Sequence, residues 1–223
     1  MTAGFHCTAV PASKRMSTAE MTLSRWRPDP DRFARLMCGL TVFGAGEASL
    51  VASKLGNSPW TVFAQGLGEQ TGMAVGTATI VTSVGVLLLW IPLRQRPGLG
   101  TILNALWIGV VIDATLALLP DELSLPVRAV LVPGGIALVG LGSGLYLTSR
   151  LGPGPRDGLM TGLHRRTGLS LRVVRAGIET TAVVVGFVLG GTVGIGTVAF
   201  ALAIGPAVQA AVFALGGRDT AAL

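Results

Sequence analysis

Arg175 and Glu179 stand four residues apart within an apolar stretch, a spacing that brings both side chains to one face of a helix, where they can pair. Counted from Ser170 at about 1.5 Å per residue, Glu179 lies about 14 Å along that helix. Glu47 and Asp113 interrupt two other apolar stretches. A charge in hydrocarbon is costly, so such groups mark either packed polar contacts or a path for an ion or solute. Both readings stand for Arg175 and Glu179: a structural ion pair, or a role in passage. Catalytic chemistry has no comparable support. No nucleophile adjoins a histidine, His6 and His164 are isolated, and GLGSG at Gly140–Gly144 lacks the lysine and the strand–turn–helix setting of a phosphate loop. Cys7 and Cys38 supply neither a disulfide framework nor a metal set. The residues point to no enzyme, no metal and no cofactor.

The elements that must position these groups are membrane helices. Of 223 residues 50% are hydrophobic and 13% charged, and the mean hydropathy is +0.66. Six segments approach the roughly 20 residues a crossing needs: Leu36–Val51, Ala74–Leu93, Leu99–Leu119, Val127–Leu147, Ser170–Leu189 and Val193–Leu215. The net charge of +6 does not read as a nucleic-acid surface, because the basic residues lie between apolar spans rather than on one solvated face. Residues 1–32 read as a disordered cytoplasmic tail, with no apolar core of a cleaved leader. Gly39, Gly44 and Gly46, and later Gly135, Gly140 and Gly142, are small residues of the kind that let membrane helices approach closely.

The segment SKLGNSPW (Ser53–Trp60) returns as SRLGPGPRDG (Ser149–Gly158), an offset of 96 residues. That offset aligns Ser53 with Ser149, Gly56 with Gly152 and Pro59 with Pro155, with Arg156 and Asp157 following in the second copy. It continues ungapped to Gly98/Gly194, Thr101/Thr197 and Gly109/Gly205, the signature of an internal duplication. Each copy, 33–120 and 127–215, holds three spans, so the second enters the membrane from the opposite side. Arginine placement agrees with both termini in the cytoplasm: only Lys54 and Arg128 fall outside, with Asp121 and Glu122. The expected fold is all-α, six crossings in two inverted three-helix repeats. Ser58-Pro59 and Gly154-Pro155 should each start a short helix, ended by Thr71-Gly72 or Thr167-Gly168, lying at the interface or re-entrant. Asp113 then corresponds to Gln209 and Glu47 to Ser143, and Gly205-Pro206 interrupts the last span.

RPGLGTILNA (Arg96–Ala105), LGPGPRDGLM (Leu151–Met160), RRTG (Arg165–Gly168) and GIGT (Gly194–Thr197) together resemble the YczE-like bacterial membrane proteins, distantly grouped with YitT-type proteins. The resemblance runs from about Phe33 to Ala214 and implies a multi-pass protein of the bacterial plasma membrane; it carries over no site residues. The candidate polar residues, for a pathway or for structure, are Glu47, Asp113, Arg175, Glu179 and Gln209. The expected partners are the lipid bilayer and a small solute or a membrane protein, with no nucleic acid. Two functions compete: a small-solute or ion transporter, and a non-transporting accessory or scaffold protein whose charges are structural. A polar cavity reaching the midplane discriminates between them.

Overall fold

The computed structural model describes residues 25–120 and 122–215. Eight helices occupy them: α1 (Pro30–Ser53), α2 (Pro59–Thr71), α3 (Val75–Trp90), α4 (Leu99–Leu118), α5 (Leu125–Thr148), α6 (Pro155–Thr167), α7 (Leu171–Val188) and α8 (Ile195–Ala214). All six expected segments are helical. Four helices, α1, α4, α5 and α8, are long and apolar enough to cross a membrane, or five crossings result if α2 and α3, bent by 111°, form one. The two shortfalls against six have physical causes. The 16 residues of α3 reach only about 24 Å at about 1.5 Å per residue, and α7 carries Arg172, Arg175 and Glu179 within 18 residues.

The core forms where α1 crosses α5. A β-carbon on Gly39 would lie 2.9 Å from the Gly142 carbonyl oxygen, and one on Gly46 would lie 2.8 Å from that of Gly135. Backbone meets backbone at both points, so any side chain there would part the helices. Position 39 faces 142 while 46 faces 135, so α1 and α5 run antiparallel. The pair Gly39–Gly142 becomes Gly135–Gly46 when each residue is replaced by its equivalent 96 positions away. Leu40, Leu50, Ile136 and Val139 fill the space around the crossing. Outward from this pair, α4 packs on α1 and α8 on α5, while α2 packs on α7 and α6 on α3.

The repeated serine segments close the first helix of each copy. Ser53 Oγ donates to the Leu50 carbonyl and Ser149 Oγ to that of Tyr146, each at 2.6 Å, and the chain turns through left-handed Lys54 and Arg150. Gly56 and Gly152 then take φ of +121° and +125°, accessible essentially to glycine. Each turn docks on the other copy: the Gly196 amide donates to the Leu55 carbonyl at 2.9 Å, and the Gly100 amide to that of Leu151 at 3.0 Å.

The short helices begin at Pro59 and Pro155 and end at left-handed Gly72 and Gly168, as the sequence predicts. Two expectations need correction. The boundary of the tail falls earlier than 32, because Pro30 at the first helical position, with Asp31 beside it, starts α1 there. Gly205-Pro206 does not interrupt the last span: α8 runs unbroken through Pro206, which removes one backbone donor but keeps a helix-compatible φ. Ser58 stands at the N-cap of α2 as expected, with its hydroxyl turned to Glu47 rather than to the helix amides. The bulk of the expected tail with His6 and Cys7, and Asp121, lie outside the described residues.

Candidate functional site

α1 carries Glu47 inward to the start of α2. Ser58 Oγ and Thr61 Oγ1 both donate to Glu47 Oε2, at 2.8 and 2.7 Å, and Ser58 Oγ also lies 3.1 Å from Thr61 Oγ1. All three side chains are buried; Glu47 is 3% exposed. Glu47 Oε1 takes no hydrogen bond from any described residue. A helix start this deep within the protein is favoured because its hydroxyls face a carboxylate rather than lipid.

The second copy places different chemistry at the same points. Ser143 replaces Glu47, and Arg156 and Asp157 replace Trp60 and Thr61. Tyr146 OH donates to Asp157 Oδ2. The Arg156 guanidinium stands 5.7 Å from the Phe43 ring centroid, a cation–π contact, and its Nε is 3.8 Å from Asp157 Oδ1. Its side chain is 21% exposed, and it makes no hydrogen bond among the described residues. Glu47, though near, is not joined to it by an ion pair.

Arg156 separates two small cavities. One of about 70 Å³ is bounded by Glu47, Phe43, Trp60, Thr61, Asn104 and Arg156. The other, of about 90 Å³, is bounded by Arg156, Asp157, Ser143, Arg175, Glu179 and Gln209. Within the second, Arg175 Nε donates to Glu179 Oε1 at 3.0 Å, the pairing that the four-residue spacing predicts. Ser143 Oγ is buried there without a partner.

Asp113 lies elsewhere. Its Oδ1 accepts from the Gly76 amide at 2.6 Å, and its Oδ2 from the amide and hydroxyl of Thr77 at 3.0 and 3.1 Å, so it caps the start of α3. That contact needs α3 pressed against α4, and a β-carbon on Gly76 would lie 2.0 Å from the Gly109 carbonyl oxygen. The second copy holds Arg172 where the first holds Gly76. There α7 is capped by its own Ser170, whose hydroxyl accepts from the Val173 amide. Gly205, the equivalent of Gly109, faces open space, and α7 barely touches α8. Gln209 is thereby left to line the second cavity instead of capping a helix.

Residues 30–212 match a family described as Family of unknown function (DUF6198). An uncharacterized protein of Haemophilus influenzae is 42% identical over 192 residues, which cover 86% of this chain and 88% of the relative. The uncharacterized membrane protein YczE of Bacillus subtilis is 33% identical over 178 residues, covering 78% and 82%. The chain belongs to the YczE-like membrane protein family. The uncharacterized protein YyaS of Bacillus subtilis is 28% identical over 166 residues, covering 71% and 81%. No solved structure matches. Relatives and apolar helices together make this YczE-like protein a multi-pass membrane protein.

In this YczE-like chain Glu47 stands apart from Arg175, Glu179 and Gln209, which share one cavity, and Asp113 belongs to neither group. Sequence reading missed three contributors. Ser58 and Thr61 carried no signal beyond helix capping, and Tyr146 looked like an ordinary residue of a span. Arg156 was visible only as part of the repeated segment. The signal that could have singled it out is the offset itself, which sets an arginine against Trp60.

Proposed function

We propose that the protein is a small-solute or ion transporter of the bacterial plasma membrane, not an enzyme, with six crossings in two oppositely oriented copies and both termini in the cytoplasm. The observation that carries the transport reading is Arg156, a guanidinium without a hydrogen bond, deep among helices and flanked by two cavities that also reach Glu47, Arg175 and Glu179. A charge at such depth, held only by a long 3.8 Å approach to Asp157 and the Phe43 ring, is costly unless it also meets a solute or water.

The opposed orientation of the copies is supported by their exchanged contacts. Gly39–Gly142 against Gly135–Gly46, and Gly100 to Leu151 against Gly196 to Leu55, are what a two-fold axis perpendicular to antiparallel α1 and α5 produces. Two short helices that begin beside Glu47 and Asp157 support the re-entrant reading over the interfacial one, with half-helix starts aimed at a shared polar region. The loose packing of α7 on α8 offers access beside the second cavity, where the first copy has α3 and α4 closed around Asp113.

The accessory reading is favoured by a different observation: Asp113 and the Arg175–Glu179 pair are both satisfied internally, as structural charges are. Flux separates the two. Purified protein reconstituted in phospholipid vesicles is expected to carry labelled small polar solutes faster than empty vesicles, and Arg156→Gln is expected to abolish the excess. Flux equal to that of empty vesicles across a metabolite and ion panel would overturn the proposal in favour of the accessory role.

A further inference from the structure

We infer that the cavities on either side of Arg156 form one binding site for a small zwitterion, whose anionic group takes the Arg156 guanidinium and whose cationic group takes Glu47 Oε1. This rests on the transport reading only for its biological use, since the site itself is read from its chemistry.

Arg156 offers a planar fork whose natural match is a two-oxygen acceptor, a carboxylate above all. Asp157 does not fill that role. Its contact is a single 3.8 Å approach to Nε, and its Oδ2 is already taken by Tyr146. Across the smaller cavity, Glu47 spends one oxygen on Ser58 and Thr61 and leaves the other unclaimed. A long, flexible arginine that shares a cavity with a carboxylate yet forms no ion pair with it leaves a gap with a positive end and a negative end. Ligands of one charge fit this poorly. A lone anion on Arg156 leaves Glu47 Oε1 without a donor, whereas a lone cation on Glu47 leaves the guanidinium fork without a two-oxygen partner. A molecule bearing both charges answers both groups. The second cavity adds a further observation. Ser143, 3% exposed, borders it beside Gln209 with its Oγ buried and unpartnered. The two cavities are small, about 70 and 90 Å³, so small zwitterions suit them best.

Glycine is the probe, with acetate and methylammonium as its separate halves. Thermal unfolding of the purified full chain in detergent is followed as each is titrated. Glycine at about ten times its dissociation constant is expected to raise the midpoint by about 3–5 °C, with acetate and methylammonium each without effect at the same concentration. Glu47→Gln and Arg156→Lys are expected to remove the glycine shift, the second because an ammonium cannot offer the fork. Should either variant fail to purify, the comparison of the three probes on the native chain decides alone. No shift with glycine, β-alanine or serine, or a shift with acetate or methylammonium alone equal to that of glycine, overturns the assignment. The transport reading fails separately: glycine binding in detergent without any vesicle flux leaves the site standing and removes transport, whereas flux of some other solute without glycine binding does the reverse.

Discussion

Arg128 donates its Nε to the carbonyl oxygen of Ser53, 75 residues earlier, and so closes the last turn of a helix that belongs to the other copy. The equivalent bond runs from Arg32, whose Nε lies 2.9 Å from the Ser149 carbonyl oxygen. Each arginine stands in the first turns of one central helix and neutralises the negative end of the other. A charged hydrogen bond is worth about 1.5–3 kcal/mol, less where water competes. Arg128→Ala and Arg32→Ala are each expected to lower stability by about 1–2 kcal/mol, and the double variant by the sum, because the two bonds lie at opposite ends of the α1–α5 pair. Unfolding in detergent checks this; a double variant no worse than either single would show that the two caps act as one.

That relationship also marks how far the sequence could be read. The helices were legible because apolar stretches of crossing length have few alternatives, and the turns at Gly56 and Gly152 because the offset matched residues with special backbone needs. Arg128 looked like an exception to the charge asymmetry, since its partner is a backbone carbonyl, which leaves no mark in side-chain types. The Arg175–Glu179 pair was readable because it is local, four residues on one helix. The Glu47–Ser58–Thr61 cluster was not, because it depends on the turn after α1 bringing the start of α2 back beside Glu47. Asp113 was given a possible place in a pathway on depth alone; its real partners are two amides at the start of α3, invisible until α3 is known to lean on α4.

Sidedness comes from arginine placement and is checked by chemistry. In a variant lacking Cys7 and the exposed Cys38, single cysteines at Gln95 and Arg165 are expected to resist an impermeant thiol reagent applied to intact cells, while one at Glu122 labels. Labelling at position 95 from outside would break the six-crossing scheme and leave the smaller count of spans.

Arg175 and Glu179 are 43% and 24% exposed, so their bond is neither a fully buried pair nor a free surface one. Replacing either alone with leucine is expected to cost about 1–2 kcal/mol, between the surface and buried ranges, and replacing both to recover most of it. Flux gives the second readout. If the pair only holds α7 in place, the double variant transports normally; as residues lining the larger cavity, both are expected to be needed, and flux should fall by about tenfold or more even where stability returns.

The sharpest contrast between the two copies is Gly109 against Gly205. A β-carbon at Gly109 would meet the Gly76 carbonyl oxygen at 2.4 Å and Ile80 Cγ1 at 2.5 Å, while one at Gly205 meets nothing within 4 Å. Equal substitutions should therefore give unequal results. Gly109→Ala is expected to force α3 away from α4, strip Asp113 from its amides and cost about 3 kcal/mol or more, in the upper range for overpacking. Gly205→Ala is expected to be nearly neutral: the helix gains up to about 1 kcal/mol over glycine, offset by the crowding that any β-carbon meets before Pro206. A larger side chain probes the cavity that Gly205 borders. Gly205→Leu should leave a folded protein whose flux is reduced, because the branched side chain enters the opening between α7 and α8. Arg172 stands where the first copy has Gly76, the glycine whose close approach to Gly109 brings α3 onto α4. Equal loss of stability for alanine at the two glycines would mean that α7 and α8 close in the membrane after all, and the route to Arg156 would have to lie elsewhere.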